Sequence, residues 1–447
     1  MLPEMRNVVQ LGGAFFFIIL AFNSQTFIQN SVIASAAKSS AINKSAAYYS
    51  QALVYFVCTF GNFVAAPIVD VISAKWAMFL GSVCYCLFMA GFLALNEVYL
   101  YTSSALMGFG AALLWNGQGA YLAKNCDERT SGRNASVLWT VFQGSLIAGG
   151  TFILIVYETT GTTDAITTST RMIMYSVFAS LAVLGTAVIA LLPAPPQYLE
   201  QKTKDLEKKG WTELTIKTFR LMFTQRIFVL APTFMYIGMM NSFWAGIYPA
   251  CMSNDHGNQS LVAVNAIVSG IGQCSAGLLI GFLASRSASL KRPGIVFMGA
   301  MLHMFAFIII FILFLQNANI HLEKPVELKP LPEGHMYIKP VVPPLAVGFL
   351  LGFGDACWNT QIYAHLVANF PDASAQAFAL FKFYKSALSC ATFYAGSQIP
   401  VVWLLLIMLV LSIVAATAFA LLEHHIQQQK KKDSPKEPNF DTVEERE

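Results

Sequence analysis

The sequence predicts an all-α polytopic membrane protein whose 12 transmembrane helices form two six-helix halves. Three observations predict it. Of 447 residues, 56% are hydrophobic and 12% charged, against roughly 25% charged in soluble domains. Long charge-free stretches recur, each clearing the roughly 20 residues that carry an α-helix across a bilayer. The second half of the chain also repeats spacings of the first.

The spans follow in order. Charge-free stretches run from Asn7 to Ala37, Ser45 to Val69, Trp76 to Asn96, Val98 to Ala123, Asn134 to Tyr157 and Met172 to Leu199. They continue from Ile227 to Asn254, Gly257 to Ser285 and Pro293 to Leu322, and three further spans fall at about 342–365, 373–396 and 399–422. This gives a six-helix half over 1–192, a cytoplasmic linker over 193–226, a second six-helix half over 227–422 and a disordered cytoplasmic tail over 423–447. The first span carries Asn23, Gln25, Gln29 and Asn30, which makes it too long and too polar for a cleaved signal peptide.

Lysine and arginine counts set the orientation. With the N-terminus in the cytoplasm, 20 of the 28 basic residues lie on the cytoplasmic side and six outside. Both termini are then cytoplasmic, whether the membrane is the plasma membrane or an internal one. The net charge of +4 is this topological bias and implies no nucleic-acid partner. The eight cysteines sit mostly inside spans, with no disulfide or zinc spacing. No phosphate-binding loop, metal cluster or nucleophile constellation is present, so neither an enzyme nor a cofactor is expected.

The repeat has consistent arithmetic. Asn23-Ser24 matches Asn241-Ser242, and Gly81 matches Gly299, at an offset of 218. Gly108-Phe109-Gly110 with Trp115-Asn116-Gly117-Gln118 matches Gly352-Phe353-Gly354 with Trp358-Asn359-Thr360-Gln361, at 243–244. The long Pro-rich outer loop at 316–341 accounts for the jump. Two parallel six-helix halves joined by a polar linker is the architecture of the major facilitator superfamily, in which substrate sits between the halves near the midplane. The end of the linker, Leu214 to Leu221, reads as an amphipathic helix at the membrane surface.

The run from Gly108 to Leu122, the stretches Ser131 to Ser136 and Trp139 to Ser145, and Ala377 to Ser386 in the eleventh span resemble the signature of the uncoordinated-93-like family. The likeness covers almost the whole membrane domain. It implies a twelve-span facilitator fold. One branch of that family is linked to regulation of potassium channels and another escorts nucleic-acid-sensing receptors. The short stretch before the first span is most similar to the small, broadly distributed members. Two departures stand out. The loop after the second span keeps Asp70 and Lys75 but has Ser73 where a glycine is expected. Lys385 stands where relatives are expected to carry glutamine, while Lys382 fits the pattern.

Charge placement singles out one helix pair. Asp355 on the tenth span and Lys382 and Lys385 on the eleventh reach similar depths near mid-membrane, where ionisable groups face protein or a water-filled cavity. A buried Asp–Lys pair, serving substrate binding, proton coupling or helix locking, is one expectation, and lysines snorkelling toward an interface are the other. Trp115 with Gln118, and Trp358 with Gln361, place a ring beside an amide on one helix face, as a polar or zwitterionic solute requires. The alternative for these amides is interhelical hydrogen bonding. Asn23, Gln143 and Asn241, with Gln25 and Trp244, complete the candidate cavity set. His303 and His365 read as packed neutral histidines. Asp70, Lys75 and Arg133 are candidate cytoplasmic gate residues, and Asn43 of the Asn43-Lys44-Ser45 sequon is a candidate glycosylation site.

Two functions compete, and the sequence favours the first. An accessory subunit regulating another membrane protein, such as a potassium channel, is favoured by the resemblance, the eroded loop after the second span and the long outer loop. A solute carrier working by alternating access is favoured by the charged helix pair and the duplicated Trp-Asn-x-Gln. Expected partners are the lipid bilayer with a channel or receptor in the first case, and a small-molecule solute in the second.

Overall fold

The computed structural model describes residues 2–37, 42–43, 46–127, 129–160, 166–196, 211–253, 259–286, 292–320, 340–396 and 398–433. The first half comprises α1 (Pro3–Ala37), α2 (Ala46–Ile72), α3 (Ala74–Gly91, extended by a 3₁₀ turn at Phe92–Ala94), α4 (Glu97–Ala123), α5 (Ser131–Thr160) and α6 (Thr168–Ala190). A short helix, α7 (Trp211–Met222), leads to the second half. There α8 (Gln225–Ser242) passes through a π-helical segment (Phe243–Ile247) into α9 (Tyr248–Ser253) to make the seventh span. The remaining spans are α10 (Gln259–Arg286), α11 (Arg292–Ile320), α12 (Val342–Asn369), α13 (Ser374–Gly396) and α14 (Val401–Asp433).

Among the described residues, ten helices are by themselves long and apolar enough to cross a membrane. The other two spans, α12 and α13, match them in length but carry Asp355, Lys382, Lys385 and a run of amides. Their position explains the tolerance. Every residue of α12 from Gly354 to Val367 is buried, so its polar groups face protein rather than lipid. Helix ends are written locally. The Asn96 side chain accepts the N–H of Tyr99 at 2.8 Å, and Thr167 accepts that of Thr170 at 3.1 Å, each capping a helix start.

The two halves share one packing device. A Cβ on Gly81 would meet Gly110 O at 2.5 Å, and one on Gly299 would meet Gly354 O at 3.0 Å. Only glycine lets α3 approach α4, and α11 approach α12, so closely. The halves meet mainly where α5 packs on α10 and α2 on α13. The linker's last part is the helix α7, which lies across both halves at the end that carries Pro3 and Asp433. Phe219 stacks on Phe63 of α2 (centroids 4.6 Å apart), and Lys217 Nζ donates to Asp372 O beside α13 at 2.7 Å.

Between α2 and α3, Ser73 holds φ 80° and ψ 153°. That backbone is one that glycine adopts freely and a Cβ resists. The loop has thus kept the glycine conformation without the glycine. Ser73→Gly is expected to raise stability by about 1 kcal/mol, read as a higher thermal unfolding midpoint of the detergent-solubilised protein. An unchanged or lowered midpoint would mean the serine carries no strain.

One expectation is corrected. The last helix does not stop at 422 but runs to Asp433. Glu423, taken as the first residue of a disordered tail, is buried and bonded to Arg292 (3.1 Å) and His365 (2.6 Å). Pairing lets a charged residue stay within the packed bundle, so the end of the apolar run does not end the helix. The tail beyond 433, most of the 316–341 loop, linker residues 197–210, Asn258 and sequon residues Lys44 and Ser45 lie outside the described residues. Asn43 itself is exposed.

Candidate functional site

A cavity lies between the halves. Asn23 and Thr26 of α1 face it, as do Asn241 and Trp244 at the corresponding positions of the seventh span, at an offset of 218. Trp139, Phe142 and Gln143 of α5 correspond to Lys382, Lys385 and Ser386 of α13 at an offset of 243, and all six line the space. The two halves therefore offer matching positions with different chemistry. The first half supplies aromatic rings and amides. Every full charge on the wall comes from the second half: Asp355, Lys382 and Lys385. Centres of water molecules have about 100 Å³ to occupy, and one ordered water needs on the order of 10–15 Å³ in that measure. The space therefore holds several waters or a small solute.

The tryptophans part company. Trp115 lines the cavity. Trp358 is buried away from it, its ring 4.8 Å from that of Tyr236. The glycine contacts explain this. Gly81 on Gly110 and Gly299 on Gly354 fix the structural offset at 244, whereas the tryptophans are 243 apart. One residue turns a helix by about 100°. Trp358 thus occupies the place of Leu114, and Asp355 that of Ala111, which also faces the cavity.

Three of the amides bond across the halves, and Gln361 stays on its own helix. Gln118 lies outside the cavity wall and accepts from Tyr363 Oη at 2.9 Å. Gln361 is buried and donates to Thr360 Oγ1 at 3.3 Å. Gln143 donates to Gln273 Oε1 at 2.6 Å, and Trp139 Nε1 donates to the same oxygen at 2.8 Å. Asn241 donates to Tyr55 Oη at 3.0 Å. Gln273, Tyr55 and Tyr363 were not singled out in the sequence. Polar residues inside apolar spans are the signal for the first. The two tyrosines carry none, because their role depends on which helix faces them.

The charges are arranged asymmetrically. Among the described residues no ion pair joins Asp355 to either lysine. The expected direct Asp–Lys pair is replaced by longer-range facing charges, with Lys385 opposite Asp355. Asp355 Oδ1 instead accepts from Asn359 Nδ2 at 3.0 Å. Lys382 Nζ donates to Tyr363 Oη at 2.9 Å and sits 4.4 Å from the centroid of Trp115. Its charge is spread over ring faces. The chain Lys382 to Tyr363 to Gln118 thus runs from α13 through α12 to α4 and ties the halves below the cavity. Tyr363→Phe removes both hydrogen bonds and is expected to cost about 2 kcal/mol, read by thermal unfolding. A variant as stable as the parent would show that the chain is not formed.

At the end that carries the termini, Asp70 Oδ2 accepts from Gln376 Nε2 at 2.6 Å, linking α2 to α13. The other two gate candidates stay on their own helices. Lys75 lies over the Trp76 ring at 5.5 Å, and Arg133 Nε donates to Asn134 at 3.3 Å. Asp127 closes its turn on itself, accepting from the amides of Arg129 and Thr130 and from the Thr130 hydroxyl. Burial pushes its carboxyl up, but these donors outweigh that and hold it below its ordinary value. His303 is a satisfied core residue between Tyr236 Oη (2.7 Å) and Leu351 O (3.2 Å). At the other end of the cavity Tyr55 stacks on Phe393, centroids 5.6 Å apart.

Among solved structures the protein is similar to the fucose transporter FucP in its outward conformation (TM-score 0.64, 13% identity, 93% of this chain and 98% of that one). It is also similar to the proton:xylose symporter XylE bound to 6-bromo-6-deoxy-D-glucose (TM-score 0.67, 12% identity, 93% and 94% covered). These likenesses establish a major facilitator fold. In sequence it is 29% identical to the UNC93-like protein MFSD11 of Xenopus laevis over 94% of this chain and 96% of that one. It is 24% identical to UNC93-like protein 3 of Arabidopsis thaliana (91% and 83%) and 22% to protein unc-93 homolog A of Mus musculus (85% and 84%). The family model described as ion channel regulatory protein UNC-93 matches residues 38–420, so this chain is a multi-pass membrane protein belonging to the UNC-93 family.

Proposed function

We propose that this protein is a solute carrier that moves a small polar organic solute by alternating access. One observation carries the reading: an internal cavity between the halves, walled by three charged side chains and by amides and rings from both halves. A bundle that served only as a scaffold gains nothing from unpaired charge at membrane depth, where it is costly. The contacts that bound the cavity fall into two separable sets. Gly119–Phe378, Asp70–Gln376 and Tyr363–Gln118 close the end that carries the termini. Tyr55 with Asn241 and Phe393 narrows the other. Breaking one set while keeping the other is the rocking of halves that alternating access needs. On the basic-residue count, the termini-bearing end faces the cytoplasm.

The test is uptake from a complex metabolite mixture into proteoliposomes. The carrier reading expects at least one solute to accumulate with the parent protein and not with Asp355→Asn at equal reconstitution. Equal uptake by both, or none by either, counts against it.

A second reading keeps the accessory role. The family description names ion channel regulation, and that role rests on surfaces rather than the cavity. It expects a stoichiometric membrane partner after mild-detergent purification, lost when segment 316–341 is replaced. The cavity puts this reading second.

A further inference from the structure

We infer that the solute of this cavity is an organic monoanion with a flat apolar body, and that Lys385 receives its anionic group. This rests on the carrier reading only in taking the cavity to be a solute site.

Charge balance comes first. The side chains that line the space carry two ammonium groups, Lys382 and Lys385, against one carboxylate, Asp355. In their ordinary charge states these groups leave the empty site with one net positive charge inside the membrane domain. Such an excess is expensive, and a bound monoanion cancels it. A cation would double it, and a zwitterion would leave it as it was.

The cations differ in availability. Lys382 is 6% exposed and already committed to Tyr363 Oη and to the faces of Trp115 and Phe381. Lys385 is partly exposed to the cavity, and no hydrogen bond or ion pair engages its ammonium among the described residues. Three donors on that nitrogen point to an acceptor that arrives with the solute.

Asp355 is poorly placed to receive a ligand cation. Asn359 donates to it, and Gln273 and Trp244 stand beside its carboxylate. Gln273 Nε2 and Trp244 Nε1 have no other partner, so donor groups crowd the position that a ligand ammonium would take. Asp355 serves instead to hold the Lys385 charge in place.

The remainder of the wall fits an apolar body. Phe22, Tyr85, Trp115, Trp139 and Phe142 line the side contributed by the first half, with Phe22 and Tyr85 edge to face at 5.5 Å. The space of about 100 Å³ is of the order of the roughly 150 Å³ apolar cavity that accepts benzene. A single ring with a carboxylate matches both features.

The test uses four probes on one scaffold: phenylacetate, phenylacetamide, 2-phenylethylammonium and phenylalanine. Binding to the full-length protein is read from quenching of its tryptophan fluorescence, since Trp115, Trp139 and Trp244 border the site. Phenylacetate is expected to bind at least about tenfold more tightly than the other three, and about tenfold or more weakly in Lys385→Gln, the scale of a lost charge-assisted hydrogen bond. Lys385→Arg should restore most of the affinity, which a merely structural role for the lysine would not predict. Equal or better binding of the neutral, cationic or zwitterionic probe overturns the inference. So does an unchanged phenylacetate affinity in Lys385→Gln, or no saturable signal from any probe. Anion binding without anion flux in proteoliposomes would leave this assignment standing and sink the carrier reading instead. Flux without charge preference would do the reverse.

Discussion

Asp355→Asn is expected to destabilise the protein by about 3–5 kcal/mol, because it leaves buried cations without their counter-charge. Asp355 is 3% exposed and is the only carboxylate among the described residues that line the cavity. Lys385 faces it, and Lys382 lies one helical turn away on the same side of α13. The amide keeps one oxygen to accept from Asn359 Nδ2, so the loss falls on the charge. The loss should be conditional. Asp355→Asn combined with Lys385→Gln removes the pair together and is expected to recover most of the stability, as a double-mutant cycle would record. Thermal unfolding of the single and double variants decides. If the double variant loses the sum of the singles, the two charges act independently and the facing-charge account fails. Flux should be lost in both, so stability and transport can be separated.

Gly119→Val is expected to trap the protein open at the end that carries the termini. A Cβ there would stand 2.3 Å from Phe378 Cγ, the fixed root of a buried ring. Gly119 lies on α4 and Phe378 on α13, so the clash falls between halves rather than within one. Overpacking of this kind typically costs about 1–3 kcal/mol. A protein with two arrangements escapes that cost by populating the one that lacks the contact. Gly238→Val is the control, since a Cβ there would meet the backbone of Lys385 within the second half. It should lower folded yield without favouring either arrangement. Gly119→Val with unchanged accessibility and lowered yield would place Gly119 in the same structural class as Gly238.

Much of this fold was legible because lipid imposes simple rules. Span lengths needed no tertiary knowledge, and the glycine repeats marked the helices that approach closely. The cavity was legible in part. Asn23, Asn241, Gln143, Trp115, Asp355, Lys382 and Lys385 all border it. Gln118, Trp358 and Gln361 do not, and for Trp358 and Gln361 the reason was present in the spacing. Gly110 to Trp115 is five residues, and Gly354 to Trp358 is four. That single step rotates the second motif off the cavity face, but a similarity of letters conceals it. The Glu423–His365–Arg292 cluster was hidden for a different reason. A charged residue at the end of an apolar run looks like the start of a tail until the partner on another helix is known.

A carrier working by alternating access opens its cavity to each face in turn. Cys58 offers a native reporter, since it lines the space and is one of eight free cysteines. With the other seven replaced by alanine, its modification by a membrane-impermeant thiol reagent can be timed from each face of oriented proteoliposomes. The account predicts reaction from both faces in the parent, and a shift toward the face that carries the termini in Gly119→Val. Reaction from a single face in parent and variant alike would show a fixed pocket, and would contradict alternating access.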